Sequence, residues 1–98
     1  MVVIVFRARL REGVDIVGLE ALGKRMFELA SAMPGFISYK DFSASDGEGC
    51  SIVEFEDEAA VKAWYEHPEH RVAQQKGRAE IFSEYRVQVC TPYRERKL

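Results

Sequence analysis

Every second residue from Val2 to Leu10 is apolar, while the residues between them are a mixture of valine and arginine. Val2, Ile4, Phe6, Ala8 and Leu10 share one face of an extended chain, and Val3, Val5, Arg7 and Arg9 share the other, which predicts a first strand. After a turn at Arg11-Glu12-Gly13, Asp15 is placed to cap a helix. Leu19, Leu22, Met26, Leu29, Ala30 and Met33 then recur at spacings of three and four, a single apolar stripe that ends at Pro34 and Gly35. Strand patterning returns from Phe36 to Ala44 and again from Cys50 to Glu56. The segment Ser45-Asp46-Gly47-Glu48-Gly49 between them carries reversal chemistry, so the two form a hairpin. Asp57 can cap a second helix, with Glu58 near its positive end and Ala60, Val61, Trp64 and Tyr65 on its apolar side. Pro68 interrupts that helix and opens a short further one that ends near Gly77. Ile81 to Cys90 reads as the last strand, with Ile81, Tyr85, Val87 and Val89 on one face and Glu84, Arg86 and Gln88 on the other.

The order strand, helix, strand, strand, helix, strand is the split pattern of an α+β, ferredoxin-like βαββαβ sandwich, a four-stranded antiparallel sheet with helices on one side. The other side combines Val3, Val5 and Ile52 with Arg7, Arg9, Glu54, Glu56, Glu84, Arg86 and Gln88. Valines among balanced charges point to a face that is covered, and a homodimer with sheets packed face to face covers it. At 98 residues the chain is a single domain over residues 1–98 with one small core, to which a second copy would add burial. Only Thr91 to Leu98 is separable as a tail.

With 47% hydrophobic and 31% charged residues, the chain has the composition of a folded globular domain. Fourteen Lys and Arg against 16 Asp and Glu leave no positive excess to attract nucleic acid. The opening apolar run is too short for a signal-peptide core and lacks a basic leader, so the expectation is a cytoplasmic protein with no membrane partner. Cys50 and Cys90 have no metal-type spacing, and the simplest reading is two buried, reduced thiols. A redox pair would require them to be adjacent in space.

Both histidines and the only tryptophan fall between Trp64 and His70. Trp64, His67 and His70 are spaced by three, with Gln74 four further on, so a helical segment projects them toward one surface. Two histidines and an amide beside an indole suit an aromatic ligand and a proton transfer near neutral pH. On residue type alone, the competing reading is a helix-capping histidine and a core tryptophan. Two histidines without a third placed ligand do not make the usual catalytic zinc site. There is no nucleophile elbow, phosphate-cradling loop or dinucleotide fingerprint, which leaves hydrolase and nucleotide-dependent readings unsupported.

Met33-Pro34-Gly35-Phe36, then Trp64-x-x-His67-Pro68-x-His70-x-x-Ala73-Gln74-x-x-Gly77-Arg78, then Tyr85-Arg86-Val87 resemble the antibiotic biosynthesis monooxygenase (ABM) domain family. The resemblance implies a dimeric α+β barrel made from two ferredoxin-like sheets, with a pocket between sheet and helices. It also implies oxidation of a small aromatic phenol or quinol by molecular oxygen, with no flavin, haem or metal cofactor. By that resemblance His70 is the base or proton shuttle and His67 the second candidate. Trp64, Tyr85, Phe6 and Phe55 would line the pocket with Gln74, and Arg78 would steady a phenolate or cap a helix. Haem-degrading relatives use an asparagine and a histidine where this chain has Ala8 and Gln74, which speaks against haem degradation. Two other readings stay open: a non-catalytic dimeric module that binds a small ligand or serves a stress role, and an isomerase or lyase working in the same pocket.

Overall fold

The computed structural model describes residues 1–98. Strand β1 (Val2–Leu10) leads to helix α1 (Ile16–Ser31), strands β2 (Phe36–Ser43) and β3 (Gly49–Phe55), helices α2 (Glu58–Glu66) and α3 (Pro68–Lys76), a π-helical segment (Gly77–Ile81) and strand β4 (Phe82–Cys90). The sheet runs β2-β3-β1-β4, and every neighbouring pair is antiparallel. This is the ferredoxin-like order that the alternation predicts.

Local chemistry fixes the joints. The Asp15 carboxylate accepts from Gly18 N at 3.1 Å and starts α1, and Asp57 accepts from Ala60 N at 2.8 Å and starts α2. The β2–β3 reversal is closed by Ala44 N donating to Glu48 O, with Gly47 at φ +92°. Helix α1 stops at Ser31, ahead of Pro34, because Pro34 disfavours a helical residue before it. One extra residue, Ile37, bulges β2 against β3 between Phe36 and Ser38.

One boundary differs from the sequence expectation, and it follows from a turn that the pattern did not show. Helix α3 ends at Lys76 with Gly77 as its C-cap, as expected, but Gly77 is right-handed at φ −56° and the chain continues as a π turn to Ile81. Glycine is needed there for space, since a Cβ would lie 2.9 Å from the Phe82 ring. Ile81 therefore belongs to this turn, where it is buried, and the last strand starts one residue later.

Register assigns the faces. Val2 and Ile4 stand opposite Phe55 and Val53, and Ile4, Phe6 and Ala8 stand opposite Val89, Val87 and Tyr85. Val53 and Phe55 join Met26, Ala30 and Trp64 in the core, so this whole set faces the helices. The open face carries Val3, Val5, Arg7 and Arg9 beside Glu54, Ile52, Gln88, Arg86 and Glu84. Glu56, which the alternation also placed there, lies beyond the end of β3.

The thiol expectation needs correction. Both cysteines are free, but Cys90 is exposed and Cys50 only half-buried, because the face that holds them has no helices over it. Cys50 is opposite Arg7 and Cys90 opposite Val3, on different sides of β1 and four residues apart along it. That is roughly 16 Å at standard strand spacings, too far for an intrachain bridge. No helix is long and apolar enough to cross a membrane.

Candidate active site

The break between α2 and α3 creates the local chemistry. Pro68 occupies the first turn of α3, and His67 serves as cap to both helices. The His67 Nδ1 accepts from Glu69 N at 3.2 Å, so its imidazole is used as an N-cap. Glu69 in turn forms a two-pronged ion pair with Arg25 of α1, with contacts of 2.7 and 2.8 Å, which ties α3 to the first helix.

His70 lies one turn further on and does something different. Its ring stacks on Trp64 with centroids 3.9 Å apart and planes 11° from parallel, while His67 meets the same indole tilted at 6.2 Å. The His70 Nδ1 is 2.9 Å from the Trp64 carbonyl oxygen. A carbonyl can only accept, so Nδ1 carries the hydrogen and donates it. In the neutral ring this leaves Nε2 with a free lone pair. Gln74 Nε2 donates to Tyr65 O at 3.0 Å and sits 3.2 Å from the same Nδ1, flanking the imidazole without supplying a second bond to it. Burial pushes the His70 pKa below its ordinary value; the bond to the Trp64 carbonyl works against this, and nearby His67 adds to it. The outcome is a half-buried imidazole of fixed tautomer that favours the neutral form.

The other sequence-derived residues separate into three groups. Phe6 and Tyr85 meet with ring centroids 5.7 Å apart, and Phe82 packs edge-on against Phe6 at 5.2 Å. This aromatic group shares the helix-covered side of the sheet with Trp64, yet no ring contact joins it to the Trp64–His70 stack. Trp64 is 4% exposed and Phe55 fully buried. Phe55 points in the predicted direction but has no free surface, because Phe36, Val53 and α1 close over it; it is core and not pocket wall. Arg78 is exposed on the π turn, where its carbonyl accepts from Arg11 at 2.7 Å and its guanidinium makes no ion pair.

Two surface hollows lie away from the histidines. One of about 220 Å³ lies between the start of α1 and the π turn, and one of about 290 Å³ is bordered by Arg7, Glu48, Glu84, Tyr85 and Arg86. The apolar surface nearest in character to a ligand wall is the helix-facing row of edge strand β4. There Tyr85, Val87 and Val89 are 42%, 48% and 57% exposed because the helices do not reach that edge.

The sequence matches the family described as antibiotic biosynthesis monooxygenase over residues 1–76, from β1 through α3 and thus across Trp64, His67, His70 and Gln74. The chain belongs to this family. No curated protein matches it. Among solved structures, Rv0793 from Mycobacterium tuberculosis is 21% identical, covers 98% of each chain and superposes with a TM-score of 0.84. SnoaB, a cofactor-independent oxygenase from Streptomyces nogalater, is 18% identical over 96% of this chain and 94% of its own, with a TM-score of 0.78. PA3566 from Pseudomonas aeruginosa is 12% identical over 95% and 94%, with a TM-score of 0.77. At these identities the structures speak for the fold.

In this ABM chain Phe82 was hidden from pattern reading. Strict alternation puts it on the face of Glu84, but the β1–β4 register shifts between Arg9 and Leu10, skips Ser83 and turns Phe82 toward Phe6. Val87 and Val89 share the parity of Tyr85, so their place beside it was legible from period alone.

Proposed function

We propose that this chain is a cofactor-independent monooxygenase that oxidises a small aromatic phenol or quinol with molecular oxygen, working as a homodimer. The observation that carries this reading is the fixed tautomer of His70, which leaves Nε2 as a proton acceptor in a site that favours the neutral ring. Family membership supports the reaction class. In this reading Nε2 takes the phenolic proton, which places electron density on a ring carbon. That carbon reacts with oxygen to give a peroxide, whose distal oxygen receives the proton back from His70. Loss of the ring hydrogen with cleavage of the O–O bond leaves a quinone carbonyl and releases water, so one oxygen atom ends in each product.

The substrate ring would lie along Phe6, Tyr85, Val87 and Val89, with Trp64 acting through His70 by holding its ring. Gln74 flanks the imidazole as a positioning group. His67 is committed to its cap and is the weaker base; Arg78 is left as a rim residue. Oxygen uptake with a panel of hydroquinones and naphthols tests the proposal. His70→Ala should lower turnover by about 10²–10⁴-fold, and unchanged turnover removes His70 from the mechanism.

A second reading, a non-catalytic small-ligand module, draws on the burial of Trp64 and on hollows that do not include the histidines. It predicts that aromatic ligands alter Trp64 fluorescence with no oxygen consumed. Product formation under anaerobic conditions would instead indicate an isomerase or lyase.

A further inference from the structure

Arg11, the residue just after β1, forms no ion pair. Its guanidinium instead donates to two main-chain carbonyls distant in sequence, from Nη2 to Arg78 O at 2.7 Å and from Nε to Phe82 O at 2.9 Å, and its own N–H donates to Ile81 O at 2.8 Å. All three carbonyls belong to the π turn or to the residue that leaves it. The end of a helical segment has carbonyls without intrahelical donors and carries partial negative charge, so a cation with forked, fixed donors suits it. Beside this clamp Ser83, the residue that the β1–β4 register skips, donates its hydroxyl to Arg9 O at 3.3 Å.

The clamp fixes the position of a ring. Phe82 is opposite Leu10 in the register, yet its ring packs edge-on against Phe6 with centroids 5.2 Å apart and lies 6.2 Å from the ring of Tyr85. Ala8, which stands between Phe6 and Leu10 on the same face, is buried and has no more than a methyl group to obstruct that reach. The same ring meets Gly77, where a Cβ would fall 2.9 Å from its Cε2. Phe82 is thus in contact with both β1 and the π turn, at the end of the row of Tyr85, Val87 and Val89 where β4 begins.

We propose that Arg11 is a positioning residue for substrate selection: by clamping the π turn it holds the Phe82 ring as the end wall of the aromatic row, and that wall limits how far a fused ring system extends past Phe6. This rests on the reading above in which the substrate lies along Phe6, Tyr85, Val87 and Val89. A π turn is a rare geometry that occurs mostly as a single turn at functional sites, and it persists only where its surroundings hold it. Without the guanidinium the carbonyls of Arg78 and Phe82 turn to water, the turn relaxes and the ring leaves Phe6. A wall on a loose segment yields to a long flat ligand, whereas a clamped one rejects it, so the Arg11–Phe82 pair disfavours the longest ring systems.

Calorimetric titration of the full chain under nitrogen tests this, with a matched series of 1,4-diols of one, two and three fused aromatic rings, so that binding is read apart from turnover. The variants are Arg11→Ala, Arg11→Lys, Phe82→Ala and the double change of Arg11→Ala with Phe82→Ala, and the readout is the ratio of three-ring to two-ring affinity. Arg11→Ala and Phe82→Ala should each raise that ratio about tenfold. Arg11→Lys, which has no fork to span both carbonyls, should fall between them and wild type. The double variant should match Phe82→Ala to within about twofold, because Arg11 acts through that ring. A merely structural Arg11 lowers the active fraction alike for every diol and leaves the ratio at its wild-type value, which overturns the proposal. So do a double variant in which the two effects multiply and a wild type that binds none of the diols. Circular dichroism melts identify any variant that does not fold, and Phe82→Leu, which keeps apolar bulk without the reach of the ring, then replaces Phe82→Ala. Oxygen uptake by the same samples in air judges the reaction separately: a bound diol that consumes no oxygen defeats the monooxygenase reading, while the affinity ratios still decide the role of Arg11.

Discussion

The imidazole of His70 lies flat on the indole of Trp64 and donates its Nδ1 hydrogen to the carbonyl of that same residue. One residue thus fixes both the plane and the tautomer of the other. The contact spans the break at Pro68, so the hinge between two short helices holds its shape partly through this pair.

A pH dependence follows from the burial of His70. Its folded-state pKa is lowered from the ordinary 6.5, so between the two values the unfolded chain binds the proton and the folded chain does not. The contribution to stability is complete above about 6.5, falls as the solution is acidified through that value, and is gone below the folded-state pKa. Thermal midpoints measured from pH 8 downward should therefore begin to drop near 6.5, ahead of the carboxylates. His70→Gln should remove that early part of the slope, and a variant with the wild-type slope would assign it to another group.

Trp64 is the anchor of the pair, and its truncation is expected to be severe. It is almost wholly buried among Met26, Ala30, Val53 and Phe55, so Trp64→Ala should lower the unfolding free energy by about 3–5 kcal/mol. That is a large share of the 5–15 kcal/mol typical of a domain. Urea unfolding followed by circular dichroism reads it, since the variant has no tryptophan to report. Trp64→Phe keeps an apolar ring in the site and should cost clearly less.

Alternation and capping residues made most of the fold legible, because each signal acts within a few residues of itself. Val2 to Leu10 is a strand with the expected faces, and Asp15 and Asp57 cap as read. The misreadings arose where distant contacts decide. Gly77 does close α3 as read, but the ring of Phe82 packed against it, and the π turn that follows, are things no local pattern reveals. Phe55 has the correct phase, but whether a phased residue is wall or core depends on what α1 and Phe36 cover. The His67–His70 segment showed its chemistry by composition, while the division of labour between a capping and a stacked histidine required the orientation of two rings.

The cap of α2 can be weighed separately from its core residue. Asp57 satisfies the Ala60 amide at 2.8 Å, and Asp57→Ala leaves that donor to water. The expected loss is about 1 kcal/mol in denaturant midpoints. Hydrogen exchange should quicken first at the amides of Ala59, Ala60 and Val61. Asp57→Asn, which keeps an acceptor oxygen, should restore most of the protection.

Gly35 offers a test of two effects that superpose at one position. Its φ of +82° lies in the left-handed region, and a Cβ there would come within 2.8 Å of the Ala60 Cβ on α2. Gly35→Ala should therefore destabilise on the order of 3 kcal/mol, from backbone strain and from forcing α2 away. The two parts separate in a double-mutant cycle with Ala60→Gly. On its own that change costs up to about 1 kcal/mol as a glycine in the first turn of α2, but combined with Gly35→Ala it removes the collision while leaving the strain. The pair should thus be less destabilised than the sum of its members by about 1 kcal/mol or more. Strict additivity would mean that α2 yields freely at this contact and that the backbone strain accounts for the whole effect.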